Sequence, residues 1–267
     1  MGNCAYEHCL KSWKLRHEET IRAETRYHWL RSPVPAESPQ IVLPRQGIVD
    51  MDGKLIVIEG LDGSGKATQA GLLAEALRSR GESVRMVSFP VYDSDSSALV
   101  RMYLRGDFGK DPDDVNAYAA SAFYAVDRFA SYKADWGAFY ESGGIVIADR
   151  YTTSNAIHQC SKLPEDQWDA FLEWLFRFEY TLMGIPAPDR VIYLRGDNAV
   201  SQKLISGRYG GDESRRDIHE KNAAYLDRSR RAAEYCKNIL GWSTVDCVRD
   251  GRMREIREIH REILELI

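Results

Sequence analysis

The chain has 267 residues and a formal net charge of −4, which suits one domain of about 220 residues plus an additional segment. No long basic run is present, so the composition argues against a nucleic-acid partner. The five cysteines are irregularly spaced and form no C-x-x-C pair, which favours a reducing cytoplasm over a disulfide framework or a zinc site. No apolar run approaches the roughly 20 residues of a membrane span, so we predict a cytoplasmic protein with no membrane partner.

Residues 1–50 differ in composition from the rest of the chain. A stretch compatible with a helix is followed by four prolines between Ser32 and Gly47, which predicts an extended linker. Met51 stands directly before the first clear strand. We therefore interpret residues 1–50 as an N-terminal extension, either poorly ordered or an artefact of the start site, and residues 51–267 as the folded domain.

Strands and helices alternate from Lys54 onward. The predicted strands are LIVIEG, SVRMVSF, GIVIADR, RVIYLRG and WSTVDCV, which are continuous apolar runs of the kind found where both faces of a sheet are covered. A helix follows the first strand and ends at Gly81. Further helices are predicted over about 112–140, 165–180, 197–206, 214–239 and 252–266. The pattern predicts an α/β fold, with a five-stranded parallel sheet and helices on both faces.

The turn between the first strand and the first helix reads EGLDGSGKATQ and nearly fits the phosphate-binding pattern G-x-x-x-x-G-K-[ST]. Its glycines allow backbone N–H groups to close around phosphate oxygens, and the helix N-terminus adds positive potential. Lys66 is predicted to lie near the β- and γ-phosphates. The hydroxyl that should follow this lysine and bind Mg²⁺ is replaced by Ala67, and a hydroxyl comes one residue later, at Thr68.

Two further pairs of residues suit a second ligand. Asp149 and Arg150 end the third strand, at the edge where open α/β sheets bind ligands, and an acid followed by a cation suits a phosphorylated ligand. An ion pair that only caps the next helix is the alternative. Tyr124 and Arg128 lie four residues apart on a predicted helix, so they offer an aromatic face beside a bidentate donor, as a flat base with a carbonyl edge would require. Core packing plus a surface charge is the alternative for this pair.

The segment SGRYGGDESRRDIHEKN combines glycines with the arginines Arg208, Arg215 and Arg216. A glycine-rich loop that carries arginines is typical of a lid that closes over a transferring phosphate. An ordinary solvated loop is the alternative reading.

Taken in order, these stretches resemble the thymidylate kinase family over about residues 53–267. The matching motifs are GLDGSGK, Phe89-Pro90-x-Tyr92, the pair Tyr124 and Arg128, DRYxxSN, and the late arginine-rich segment. The resemblance implies a P-loop NTPase fold, transfer of the γ-phosphoryl group of ATP to dTMP to give dTDP, Mg²⁺ as cofactor, and a homodimer. Residues 51–267 would then be the nucleotide kinase domain.

The resemblance also implies roles for individual residues. It makes Tyr124 the ring that stacks on thymine, Arg128 the donor to a thymine carbonyl, and Asn155 a polar residue that reads the base. The implied catalytic residues are Asp62, Lys66, Asp149, Arg150 and Arg216, with Asp149 also at the metal. The implied ATP-binding residues are Gly60, Leu61, Asp62, Gly63, Ser64, Gly65, Lys66, Ala67, Thr68, Arg208 and Arg215. The implied dTMP-binding residues are Phe89, Tyr92, Tyr124, Arg128, Arg150, Asn155 and His158.

The sequence departs from the family pattern at three places. Val91, Tyr92 and Asp93 occupy the positions where many members carry an arginine, and His158 stands where an aromatic ring often lies beneath the deoxyribose. Ala67 removes one neutral ligand from a metal that is held largely by the ATP phosphates, so we interpret the site as working. Two alternatives stay open: a kinase for another nucleotide or deoxynucleoside, and a nucleotide-binding regulatory module without turnover.

Overall fold

A computed structural model describes residues 53–197, 200, 217–220 and 222–267 of the chain. The N-terminal extension predicted over residues 1–50 lies outside the described residues. The predicted lid arginines Arg208, Arg215 and Arg216 also lie outside them, as does most of the helix predicted over about 197–206. These expectations therefore stay predictions.

The core of the fold is a five-stranded sheet in which every neighbouring pair of strands is parallel. Its strands are Lys54–Glu59 (β1), Val84–Ser88 (β2), Ile145–Asp149 (β3), Arg190–Arg195 (β4) and Ser243–Asp246 (β5), in the spatial order β2-β3-β1-β4-β5. Each predicted strand forms. The register pairs Ile58 of β1 and Ser88 of β2 with Asp149 of β3. The carboxyl ends of these three strands therefore meet at one edge.

Helices cover both faces of the sheet, as the continuous apolar strands predict. The α-helices are Lys66–Ser79 (α1), Ala98–Arg105 (α2), Ala117–Ser131 (α3), Gly137–Glu141 (α4), Thr152–Cys160 (α5), Trp168–Phe176 (α6), Ala223–Ile239 (α7) and Ile256–Glu265 (α8). On one face, Ile56 and Ile58 pack with Leu73 of α1 and Ile259 of α8. On the other face, Leu55 and Val57 pack with aromatic residues that include Trp136. The alternation along β1 thus separates two apolar layers.

The helices predicted over about 112–140, 165–180, 214–239 and 252–266 need correction, and one helix was not predicted. The stretch 165–180 forms a 3₁₀ turn at Glu165–Gln167, then α6, then a π-helical turn at Arg177–Leu182. The stretch predicted as one helix over 112–140 is divided into a 3₁₀ turn at Pro112–Asp114, α3, a π-helical turn at Tyr132–Trp136, and α4. The side chain of Asn116 accepts a hydrogen bond from the backbone N–H of Ala119, so α3 begins only after residue 116. Helix α7 likewise begins after Asn222, which caps it, rather than at residue 214. Helix α2, which the sequence reading missed, ends at Gly106 with a φ of 76°.

The last helix begins at Ile256 rather than at residue 252, because a small hairpin precedes it. Strands Val248–Arg249 (β6) and Arg252–Met253 (β7) pair antiparallel around a two-residue turn. Both turn residues, Asp250 and Gly251, have positive φ angles of 51° and 70°, as the favoured tight hairpin turns require. Within the described part of the chain, no helix is long and apolar enough to cross a membrane.

Candidate active site

The glycine-rich turn between β1 and α1 forms a preorganised loop. Gly63 and Gly65 have left-handed φ angles of 77° and 87°, which residues with a Cβ rarely adopt. The Nζ atom of Lys66 donates to the carbonyl oxygen of Leu61 at 2.9 Å, across the loop. A Cβ atom on Gly60 would lie 2.8 Å from the carbonyl oxygen of Leu194, so the loop needs glycine there to approach β4.

Arg150 connects this loop to the end of β3. Its φ angle of 68° is unusual for a residue with a side chain, and its guanidinium contacts the Asp62 carboxylate through Nη2 and Oδ1. Its Nη1 atom lies 3.8 Å from Oε1 of Glu59 and 3.3 Å from Oγ of Ser154. The predicted residues Asp62 and Arg150 are therefore in direct contact, although strands β1 and β3 supply them separately.

These neighbouring charges shift one another's pKa values. Burial would raise the pKa of Asp62, but the positive charges of Arg150 and Lys66 outweigh it and hold this pKa well below its usual range. Burial lowers the pKa of Lys66 to about 8, and repulsion from Arg150 adds to the effect. Burial also opposes the charge of Arg150, but Asp62 and Glu59 raise its pKa above the ordinary value. At neutral pH the site therefore holds two charged donors, Lys66 and Arg150, and donors of this kind form strong hydrogen bonds with phosphates.

Asp149 and Ser64 carry buried oxygens to which no described residue donates a hydrogen bond. Both residues are buried, and neither Oδ1 of Asp149 nor Oγ of Ser64 has a partner in the described part of the chain. An unpaired buried oxygen is costly unless a ligand, ion or water satisfies it. No cluster of three or more His, Cys, Asp or Glu side chains suitable for a metal occurs among the described residues. The donor set fits a magnesium ion that takes most of its ligands from ATP phosphates and water.

Every residue predicted to bind dTMP lines one cleft at the carboxyl edge of the sheet. The cleft is lined by Phe89, Tyr92, Tyr124, Arg128, Arg150, Asn155 and His158, together with Asp62. These side chains come from the end of β2, from α3, from the end of β3 and from α5. The sequence thus identified residues that are distant along the chain and adjacent in the fold. Their roles toward a ligand stay predictions.

Arg128 is buried rather than a surface charge. Its side chain is bound by Glu179, with Nε to Oε2 at 2.7 Å and Nη2 to Oε1 at 2.5 Å. Asn155 lies beside this pair, and its Nδ2 atom donates to the carbonyl oxygen of Ser121 at 3.1 Å and to Oε1 of Glu179 at 3.2 Å. The alternative of core packing plus an exposed cation is therefore wrong for Arg128.

His158 forms one layer of a stack of rings at the cleft. Its ring is nearly parallel to those of His219 and Tyr225, with centroids 5.9 Å and 6.0 Å away. Tyr225 Oη lies 3.3 Å from Nδ1 of His158. Burial, with repulsion from Arg150, lowers the pKa of His158 to about 3. His158 is therefore a neutral, flat side chain at physiological pH, as an aromatic ring would be.

Several cleft residues were missed by the sequence analysis. Gln159 lines the cleft, and both its amide atoms are buried without a partner among the residues that the structure describes. Asp217 and His219 reach the cleft from the segment that precedes α7. Burial raises the pKa of Asp217 to about 6, and the charge of Asp62 adds to the effect. Gln159 follows Asn155 by one helical turn on α5, so helical spacing was the available signal. The sequence offered no comparable signal for Asp217 and His219.

A parallel sheet with a phosphate loop and an adjacent cleft for a second phosphorylated ligand defines a P-loop kinase of small substrates. The sequence model of the thymidylate kinase family matches residues 58–261. The chain therefore belongs to the thymidylate kinase family. This family transfers phosphate from ATP to dTMP, so the predicted family, fold class and activity are confirmed.

Individual relatives agree with this assignment. The chain is 32% identical over 177 residues to a thymidylate kinase of Mycobacterium tuberculosis, an alignment that covers 66% of this chain and 81% of that protein. It is 29% identical over 222 residues to a thymidylate kinase of Caenorhabditis elegans, covering 79% of this chain and 93% of the relative. A solved thymidylate kinase from Candida albicans has the same fold, with a TM-score of 0.60 at 21% identity, covering 80% of this chain and 91% of that chain.

Proposed function

We propose that the loop from Gly60 to Thr68 binds the phosphates of ATP and that the cleft holds dTMP as phosphoryl acceptor. The observation that carries this assignment is the contact between Asp62 and Arg150, since it joins the phosphate loop to the cleft. An arginine that is held by a carboxylate can exchange that partner for the acceptor phosphate without leaving the site. Transfer then depends on positioning and on neutralised charge.

Each site residue has a task in this proposal. Lys66 would leave the Leu61 carbonyl for the β- and γ-phosphates, and Arg150 would hold the acceptor phosphate. The half-buried Tyr124 ring would stack on the base beside Arg128 and Asn155. Asp149 would hold Mg²⁺ directly or through water, and the ion would neutralise phosphate charge during transfer. Phe89, Tyr92 and His158 would enclose the rest of the nucleotide.

A coupled assay of ADP formation from Mg·ATP tests the function. The acceptors are dTMP, dUMP, dCMP, dGMP and dAMP, each at several concentrations. We expect the highest kcat/KM for dTMP, a lower value for dUMP, which lacks the methyl group, and weak use of the others. A higher value for a different monophosphate would assign a different nucleotide kinase. If no ADP forms with any of the five acceptors, the protein is a nucleotide-binding module without turnover.

We also propose a homodimer, formed through an apolar face on α3 and α6. Tyr118 and Val126 of α3 and Leu182, shortly after α6, are 42%, 47% and 68% exposed. The half-buried Trp174 of α6 contacts the Tyr118 ring of α3 with centroids 4.7 Å apart, so the two helices meet at this face. An apolar patch of this kind marks an interaction surface.

We also propose a cytoplasmic location. The buried free thiols of Cys160, Cys236 and Cys247 support a reducing, cytoplasmic setting.

Light scattering after gel filtration tests the homodimer. Val126→Asp places a charge on the apolar face and should shift the protein toward the monomer. Met86→Asp is the matched control, because Met86 is 39% exposed but lies on β2. A wild-type mass of one chain at micromolar concentration would contradict the proposal, as would an equal effect of both substitutions.

A further inference from the structure

Glu179 is a buried carboxylate that none of the motifs includes. It lies in the π-helical turn Arg177–Leu182 that continues α6, and its side chain is fully buried. Its oxygens accept four hydrogen bonds, two from Arg128, one from Asn155 at 3.2 Å and one from Oγ1 of Thr152 at 2.7 Å. π-Helical turns are rare and are frequent at functional sites. This one places a single carboxylate behind two residues that line the cleft.

The contacts of Glu179 determine which atom of Asn155 faces the cleft. Both partners of its Nδ2 atom, the Ser121 carbonyl and the Glu179 carboxylate, can only accept hydrogen bonds. The amide nitrogen, and not the amide oxygen, must therefore face these two acceptors. No hydrogen bond reaches Oδ1 from the residues that the structure describes. Asn155 consequently offers the cleft an acceptor.

Arg128 offers the opposite polarity. A guanidinium only donates hydrogen bonds. Its Nε and Nη2 atoms are bound to Glu179, while Nη1 makes one long contact, of 3.5 Å, to the carbonyl oxygen of Tyr151. Nη1 is thus the nitrogen with hydrogens available to a ligand in the cleft. The Glu179 carboxylate thus holds a donor, Arg128, beside an acceptor, Asn155.

We infer that Glu179 is a positioning residue that sets the base specificity of the kinase, by fixing Arg128 as donor and Asn155 as acceptor at the base edge. Thymine and uracil present a carbonyl oxygen beside an N–H group, which complements this pair. Cytosine presents an amino group beside an unprotonated nitrogen, which opposes it at both positions. This inference rests on the proposed binding of dTMP in the cleft.

The decisive measurement is a pair of kcat/KM ratios in wild type and Glu179→Gln. The ratio of dUMP to dCMP reports only the polarity of the base edge, and the ratio of dTMP to dUMP reports only the methyl group. Glutamine replaces one accepting oxygen of Glu179 with a donating NH₂ group. Its remaining oxygen cannot accept all four hydrogen bonds from Arg128, Thr152 and Asn155, so the Asn155 amide is free to turn. We expect the dUMP:dCMP ratio to fall by about tenfold or more. The dTMP:dUMP ratio and the KM for ATP should stay within about twofold.

Glu141→Gln is the matched control, since Glu141 accepts a hydrogen bond from Tyr132 and lies away from the base-reading pair. It should leave both ratios unchanged. A Glu179→Gln enzyme that loses activity toward all substrates in proportion, with its dUMP:dCMP ratio intact, would overturn the inference. Wild-type protein that does not phosphorylate dTMP would instead overturn the proposed function.

A second pair of variants decides the question if Glu179→Gln does not fold. Thr152 donates to Glu179, while the adjacent Thr153 donates to Glu59 at 2.6 Å, and both are buried. Thr152→Val should lower the dUMP:dCMP ratio by about threefold, because it loosens the carboxylate without touching the base readers. Thr153→Val should leave that ratio unchanged. Equal ratios in the two valine variants would refute the role of Glu179.

Discussion

Lys66 and Arg150 are the two cations proposed to bind phosphate, and the fold holds them in different ways. Arg150 is fixed by two carboxylates, Asp62 and Glu59, which raise its pKa and keep it charged at all working pH values. Lys66 donates a hydrogen bond to the neutral carbonyl of Leu61, and burial lowers its pKa to about 8. The lysine is therefore the cation whose charge responds to pH near the physiological range.

We predict that Lys66→Ala lowers kcat by about 10²–10³, as for other preorganised contacts to a transition state. Steady-state kinetics at saturating ATP measure this.

The pH dependence gives a second prediction. In the wild type, kcat/KM for ATP should fall as pH rises through about 8, because the neutral amine no longer attracts phosphate and this ratio reports the free enzyme. Lys66→Arg should shift that fall to higher pH, since a guanidinium stays charged. Steady-state kinetics between pH 6 and about 10 give the profiles.

The exposed Lys133 provides the control for these measurements, and Lys133→Ala should behave as wild type. If Lys66→Ala turned over normally, the loop would not bind the transferring phosphate. If kcat/KM for ATP falls at the same alkaline pH in the wild type and in Lys66→Arg, the titrating group is not Lys66.

At Ala67 the proposed metal site can be tested by adding the hydroxyl that the phosphate-binding pattern expects there. It is exposed at the start of α1, so a hydroxyl fits there. We predict that Ala67→Ser lowers the Mg²⁺ concentration for half-maximal activity by about fivefold, corresponding to about 1 kcal/mol for one added contact. A magnesium titration at fixed ATP measures this. Ala76→Ser, near the other end of α1, is the control. Equal magnesium titration curves for the two variants would show that the residue at position 67 does not affect Mg²⁺ binding.

The motif residues of the site were predictable, but the residues that hold them were not. Glu59 ends the apolar run LIVIE, and Glu179 ends the stretch WLFRFE, which is apolar except for Arg177 and Glu179 itself. Glu179 follows Leu172 by seven residues and Leu175 by four, so it continues the buried side of α6. An acid at such a position signals a buried partner. The sequence does not show that the partner of Glu179 is Arg128, because the two residues meet only in the folded chain.

At the scale of elements, local signals determined where helices and turns begin. Asn116 and Asn222 cap α3 and α7, and Asp250-Gly251 makes the tight turn of the β6–β7 hairpin. These residues were visible in the sequence, yet apolar periodicity alone extended the predicted helices past them. The two π-helical turns have no comparable sequence signal, since packing of the surrounding side chains selects them.

The arginine-rich segment supplies a prediction at the same scale. Arg216 is expected to contact phosphate mainly during transfer, so Arg216→Ala should lower kcat more than it raises the KM for ATP. Parallel kinetics of Arg215→Ala and Arg208→Ala show which arginine acts. A change in KM alone would make Arg216 a ground-state contact to ATP. Wild-type kinetics for Arg216→Ala would move the assignment to one of the other two arginines.

At the scale of the whole molecule, the alternation of strands and helices predicted the layers but not the order of the strands. β1 lies at the centre of the sheet, with β3 on one side and β4 on the other. Right-handed crossovers are compatible with several orders, so the neighbours of each strand had to be observed. The order matters for function, because it places Asp62, after β1, beside Arg150, after β3.

The central position of β1 also leads to a prediction about the N-terminal residues. Leu55 and Val57 are fully buried, and Lys54 already pairs with Ile145 in the sheet. The first described residues thus already belong to the sheet and its core. A chain that starts at Met51 should keep kcat/KM within about twofold and its Tm within about 3 °C, because it loses less than about 1 kcal/mol. A chain that starts at Ile58 lacks four of the six residues of the central strand and should not fold. Circular dichroism melts and the ADP assay compare both with the full chain. A Met51 chain that precipitates would show that residues 1–50 contribute to the folded domain.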